Sequence, residues 1–156
     1  MVILCLLLFA VGFWIMLRPY PRESEGFIPP AQAPNFTSSS YPESAHDMRW
    51  ALSSRGLGGR FMAYRFSGTV SELKKFANSE MANSWNRPTV AVESNARSPF
   101  DADRLKDCGD TFGLQLDWMT APKGARGSIY TGGRRSHVPV IFVDEQNGVL
   151  YYLVTD

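Results

Sequence analysis

The sequence predicts an α+β fold: a small antiparallel or mixed sheet, two or three helices packed on one face, a C-terminal β-hairpin, and an N-terminal transmembrane helix ahead of them. Three observations carry this reading. An uncharged apolar run opens the chain from Val2 to Leu17. Segments with apolar residues at helical spacing then alternate with short β-branched and aromatic runs, the pattern of helices layered on a sheet. The chain closes on two strand-like runs joined by Glu145-Gln146-Asn147-Gly148, where the Asn-Gly pair suits a hairpin turn.

The opening run holds sixteen residues without a charge. As a helix it would be roughly 24 Å long, a little under the roughly 30 Å hydrocarbon core of a bilayer. No Lys or Arg precedes it, and the Ala31–Ala33 pair lies well past Leu17, so an uncleaved anchor fits better than a removable signal peptide. Trp14 and Tyr20 suit a membrane interface. Arg18 and Arg22 come after the run, which by the positive-inside rule would hold the domain in the cytoplasm. Many N-terminally anchored chains nonetheless translocate the domain behind the anchor, and the expectation adopted is a single-pass protein with its domain outside the cytoplasm. The predicted organisation is an anchor over 1–17, a Pro/Ser-rich stalk over 18–43 and a domain over 44–156.

The stalk reading rests on Pro19, Pro21, Pro29, Pro30 and Pro34 and on the run Thr37-Ser38-Ser39-Ser40, which favour neither helix nor sheet. A first helix is expected from Ser44 to Gly56, with Ser44 and Asp47 at its start and Met48, Ala51 and Leu52 on one face. Arg60 to Ser67 alternates as a strand. Thr69 and Glu72 form a capping box for a second helix. Its buried stripe is Val70, Leu73, Phe76, Ala77 and Met81, with Glu72, Lys74, Lys75 and Glu80 solvated. Thr89 to Glu93 reads as a short strand. Ser98, Pro99 and Asp101 open a short helix ending at Cys108-Gly109. Leu114, Leu116 and Trp118 alternate with Gln115 and Asp117 as a half-buried strand. Val138–Asp144 and Val149–Thr155 form the final hairpin, and one of Tyr151 and Tyr152, pointing to opposite faces, is expected to be exposed.

Composition bounds the function. Hydrophobic residues make up 44% of the 156 and charged residues 20%, with a formal net charge of +1, so no global field suggests nucleic acid. Cys5 and Cys108 are the two cysteines. With Cys5 in the anchor, the domain has no internal disulfide, and Cys108 reads as a small hydrophobe. Two scattered histidines and one usable cysteine give no zinc spacing. Asp101, Asp103, Asp107 and Asp110 match only the opening of a calcium loop. No cofactor or metal is expected.

The candidate site is the segment 122–137. It carries Lys123, Arg126, Arg134, Arg135 and His137 among Gly124, Gly127, Gly132 and Gly133, with no acidic residue. Glycines admit backbone amides to a ligand, and basic side chains clamp anions. The expected function is a membrane-tethered, non-enzymatic binding or accessory module, with the membrane as partner through residues 2–17 and a protein or anionic ligand at the basic loop. The alternatives are a small enzyme with a site around Arg134, Arg135, His137 and Cys108, and a purely structural envelope protein. An enzyme would need an activated Cys108 thiolate, and the flanking Asp107 and Asp110 oppose that. Trp50, Trp85, Trp118, Tyr130, Tyr151 and Tyr152 are candidates for an aromatic interaction surface.

Overall fold

A computed structural model describes residues 11–14, 20–34, 37–54, 59–84, 91–132 and 139–155. The last strand shows the organising principle. Val149–Thr155 (β7) reads Val-Leu-Tyr-Tyr-Leu-Val-Thr, a run with no polar alternation, as a strand buried on both faces requires. It lies at the centre of a seven-stranded, wholly antiparallel sheet in the order β1-β2-β3-β7-β6-β5-β4. The other strands are Arg22–Glu23 (β1), His46–Ser54 (β2), Arg60–Ser67 (β3), Ala91–Arg97 (β4), Arg126–Thr131 (β5) and Val140–Asp144 (β6). The helix Val70–Ser84 (α1) carries the chain from β3 to the far edge, and Ala102–Phe112 (α2) fills the β4–β5 connection.

Of the expected antiparallel or mixed sheet the antiparallel alternative holds, and the expected fold is otherwise corrected in two respects. The sheet is not small. Its helices do not share a face: Leu73, Phe76, Ala77 and Met81 of α1 pack with Tyr64, Phe66, Ile141, Leu150 and Tyr152, whereas Leu105 and Phe112 of α2 pack with Phe61, Phe142, Tyr151 and Leu153. Tyr151 and Tyr152 are therefore both buried, at 2% and 1% exposure, since each face has its own cover. No helix among the described residues is long and apolar enough to cross a membrane. Val11–Trp14 are helical and exposed, and the rest of the 2–17 run lies outside the described residues.

The expected first helix is strand β2. Met48, Ala51 and Leu52 satisfy a helical spacing, but the same residues serve a strand whose two sides are both covered, Met48 against α1 and Ala51 against the α2 layer. The strand expected over Leu114–Trp118 makes no ladder. It is a loop ending in a 3-10 turn, Asp117–Met119, with the alternating burial nonetheless in place: Leu114, Leu116 and Trp118 inside, Gln115 and Asp117 outside. Helix α2 starts one residue after Asp101, whose carboxylate accepts from the Arg104 N–H at 2.9 Å, and runs on to Phe112. The hairpin turn is held by Asp144, which accepts from the backbone N–H of Gln146 and Asn147. Only Gly148 of the Asn-Gly pair takes a positive φ, 61°.

The segment expected to be a stalk lies against the sheet where it is described. β1 pairs with β2, Ile28 bridges Met48, and Tyr41 stacks on Phe76 with centroids 5.9 Å apart. Burial pushes the Tyr41 hydroxyl up to about 12, with the charge of Glu80 adding to it. Glu80, expected on the solvated face of α1, is 1% exposed. Its carboxylate accepts from the Ser38 N–H at 3.0 Å, the Ser38 hydroxyl at 3.1 Å and the Ser39 N–H at 3.0 Å. It sits three residues after Ala77 and four after Phe76, so helical geometry puts it on the buried stripe. Glu80→Ala is expected to cost about 2 kcal/mol in urea denaturation and to open the 37–41 segment to limited proteolysis; Glu80→Gln, which keeps an acceptor, should lose less than half of that.

Candidate functional site

The predicted basic segment is not one loop. Lys123 and Gly124 form the turn before β5, and Arg126 is the first residue of that strand. Six strand residues rising about 3.4 Å each place roughly 20 Å between that end and the other. Arg134, Arg135 and His137 lie outside the described residues, and their described neighbours Gly132 and Pro139 stand at the far end of β5. One of the two predicted charges at the near end is also engaged. Arg126 donates to the Asn95 carbonyl at 3.0 Å. Lys74, which lines the same shallow groove, pairs with Glu145 at 2.8 Å. The Glu145 carboxyl is held below its usual range by Lys74 and by the Ser128 hydroxyl. Cys108 is half-buried on α2, its thiol pushed up by burial, with Arg104 opposing and Asp107 adding. Of the aromatic surface candidates, Trp118, Tyr130, Tyr151 and Tyr152 are buried in the core layers, and Trp85 lies outside the described residues.

A different pair of basic residues is brought together by the sheet. The register sets Arg49 of β2 directly opposite Arg65 of β3, and Arg65 directly opposite Tyr151 of β7. Parity puts these residues on the face that carries Ala51, Ala63 and α2. Trp118, fixed by the 3-10 turn, completes the group. The Arg49 guanidinium lies 5.3 Å from the Trp118 ring centre. Arg65 lies 5.1 Å from Phe27 and 5.6 Å from Tyr151, and its Nη1 donates to the Trp118 carbonyl at 3.1 Å.

Two like charges directly opposite one another on neighbouring strands repel, and half-burial weakens the screening that water would supply. An ordinary protein answers such a pair with a carboxylate. Here the described residues hold the ion pair Lys74–Glu145 and a His46–Asp47 contact at 3.9 Å, and neither arginine takes part. Glu23 falls one row along, opposite Ala51, a diagonal position about 7–8 Å away, and forms no ion pair with them. Tyr151 supplies no negative charge, because burial raises its hydroxyl despite the pull of Arg65. The Nε of Arg49, the Nε of Arg65 and the indole N–H of Trp118 are all buried without an acceptor. Stacking on the rings returns roughly 0.5–2 kcal/mol per contact, but it leaves the charge uncancelled and the donors unmatched. Two half-buried guanidiniums on rigid strands, oriented by aromatic planes and lacking an acid, are suited to hold an oxyanion.

Neither arginine was singled out by the sequence. Arg49 lay within a segment read as a helix, and Arg65 within a strand whose partners were unknown. The available signal was parity: Arg65 falls on the same side as the buried Phe61 and Ala63, where an apolar residue would be ordinary. No known family model matches this chain, no curated protein matches it, and no solved structure matches it.

Proposed function

We propose that this chain is a membrane-attached, non-enzymatic binding domain that holds a phosphate group at the Arg49–Arg65 pair. The observation that carries the reading is the juxtaposition of two half-buried arginines across neighbouring strands with no acidic partner among the described residues. A phosphate monoester carries a charge of about −1.5 to −2 near neutral pH, which matches two guanidiniums better than a single carboxylate does. Attachment to the membrane is supported by the uncharged run Val2–Leu17 and by the exposure of Val11, Phe13 and Trp14 within it. In this reading the phosphate site lies on β2 and β3, in the other half of the sheet from β5 and the 122–137 segment.

The test is a thermal-unfolding titration of the detergent-solubilised chain with inorganic phosphate against chloride at matched ionic strength. Phosphate at a hundred times its dissociation constant should stabilise the chain by about 2.7 kcal/mol. Arg49→Met should abolish that gain. In chloride the same variant should be neutral or up to about 1 kcal/mol more stable, because it removes a like-charge contact and an orphaned donor. Equal destabilisation of Arg49→Met in both salts, or no phosphate effect on the native chain, would show that the pair is structural.

A further inference from the structure

The sheet begins almost as soon as the apolar run ends. The Tyr20 N–H donates to the Ser54 carbonyl at 3.0 Å, and β1 continues the pairing through Arg22 opposite Leu52 and Glu23 opposite Ala51. Two residues, Arg18 and Pro19, lie between Leu17 and Tyr20, so three Cα–Cα steps span the gap. Even fully extended they reach only about 11 Å. A chain held in a bilayer through residues 2–17 therefore cannot carry its sheet away from the surface; the β1–β2–β3 corner must sit at headgroup level.

The chemistry of that corner fits the position. Tyr20, Pro21, Arg22, Leu52, Ser54 and Arg60 line one groove. Tyr20 is 56% exposed, and Arg22, Ser54 and Arg60 are exposed as well. The register explains the grouping: Ser54 stands opposite Arg60, and Leu52 opposite both Arg22 and Met62, so these side chains share one face of the edge. Glu23, the next residue on β1, points to the other face. No carboxylate lines the groove, and neither arginine forms an ion pair among the described residues. Exposed basic side chains beside a tyrosine and an aliphatic floor are suited to an anionic headgroup layer.

We infer that this groove is a membrane-contact surface, with Arg22 and Arg60 on the phosphates of anionic phospholipids and Tyr20 at the interface, so that the domain lies edge-down on the bilayer. The inference rests on attachment through residues 2–17 and is separate from the phosphate site on the opposite face. In this posture β4, six inter-strand spacings of about 4.8 Å from β1, stands roughly 29 Å further from the membrane.

The experiment uses the full chain in a Cys5→Ser, Cys108→Ser background, with a fluorophore on Ser54→Cys or, at the far edge, on Ser94→Cys. Each is reconstituted into phosphatidylcholine vesicles with or without phosphatidylglycerol, and quenching by a headgroup nitroxide lipid is read. The Ser54 label should be quenched several-fold more than the Ser94 label in the anionic vesicles. Arg22→Gln with Arg60→Gln should lower the Ser54 quenching in the anionic vesicles to its level in phosphatidylcholine alone. Flotation with the vesicles is measured in parallel. A chain that floats while its Ser54 label is quenched no more than its Ser94 label overturns the contact surface and leaves attachment standing. A chain that does not float overturns attachment, and the surface with it.

Discussion

Gly127→Ala is expected to destabilise the molecule by about 4 kcal/mol or more, enough to unfold a substantial fraction of a protein whose whole stability is on the order of 5–15 kcal/mol. Gly127 lies in β5 between β4 and β6, opposite Ala96 and Asp144. A methyl group there would come within 1.8 Å of the Val143 carbonyl oxygen and 3.1 Å of the Phe142 ring. The first obstacle is backbone in a paired strand, so no side-chain rotation relieves it, and the β5–β6 ladder must part. Gly26→Ala, where nothing lies within 4 Å of the added methyl, serves as the control and should change stability by no more than about 0.5 kcal/mol. Urea denaturation of the two variants checks the difference, and comparable losses would mean that β5 tolerates more separation than its packing implies.

The second large effect is expected at the stacked pair Tyr64 and Tyr152. Their rings lie 4.3 Å apart and within 9° of parallel, on opposed strands β3 and β7, under Phe66, Phe76 and Met81. Tyr152→Ala should cost about 3–5 kcal/mol, combining lost burial with a cavity that a sheet between two covered faces cannot collapse. Tyr64→Phe should go the other way. The Tyr64 hydroxyl is buried without a hydrogen-bond partner, and burial holds it well above its usual range, with Tyr152, Glu80 and Tyr41 adding to the rise. Removing an unmatched hydroxyl while keeping the ring should leave stability unchanged or raise it by up to about 1 kcal/mol. A loss beyond about 1 kcal/mol in Tyr64→Phe would reveal an acceptor for that hydroxyl.

The parts of the fold legible in the sequence are those written by local chemistry. The turn Glu145–Gly148 and the runs around it specify β6 and β7 within a few residues, because turn geometry and side-chain alternation act between neighbours. Helix α1 follows from Leu73, Phe76, Ala77 and Met81 at helical spacing, all of them buried. The start of α2 follows from Asp101, a cap that acts three residues away. Strand β3 follows from its own alternation.

The features hidden from the sequence depended on partners distant along the chain. His46–Ser54 satisfied a helical and a strand pattern at once, and only the cover on both faces made the strand the lower state. The proline-rich segment joins the sheet through backbone bonds, such as the Ser24 N–H to the Trp50 carbonyl, which leave no side-chain pattern. Glu80 looked like any surface glutamate until Ser38 and Ser39, some forty residues earlier, closed over it. The basic segment 122–137 looked continuous because sequence adjacency conceals the length of the strand that runs through it.

Taken alone, the sequence determined an uncharged apolar start, a terminal hairpin, an amphipathic helix and a chain rich enough in aromatics to build a core, since each of these is set by residues within a few positions of one another. The tertiary structure alone decided that the sheet has seven antiparallel strands with helices on both faces, that Arg49 faces Arg65, and that the sheet edge starts three residues past the apolar run. Those depend on strand register and on closing long loops, where the deciding contacts lie between residues far apart in the chain and a shift of one residue would turn every side chain to the other face.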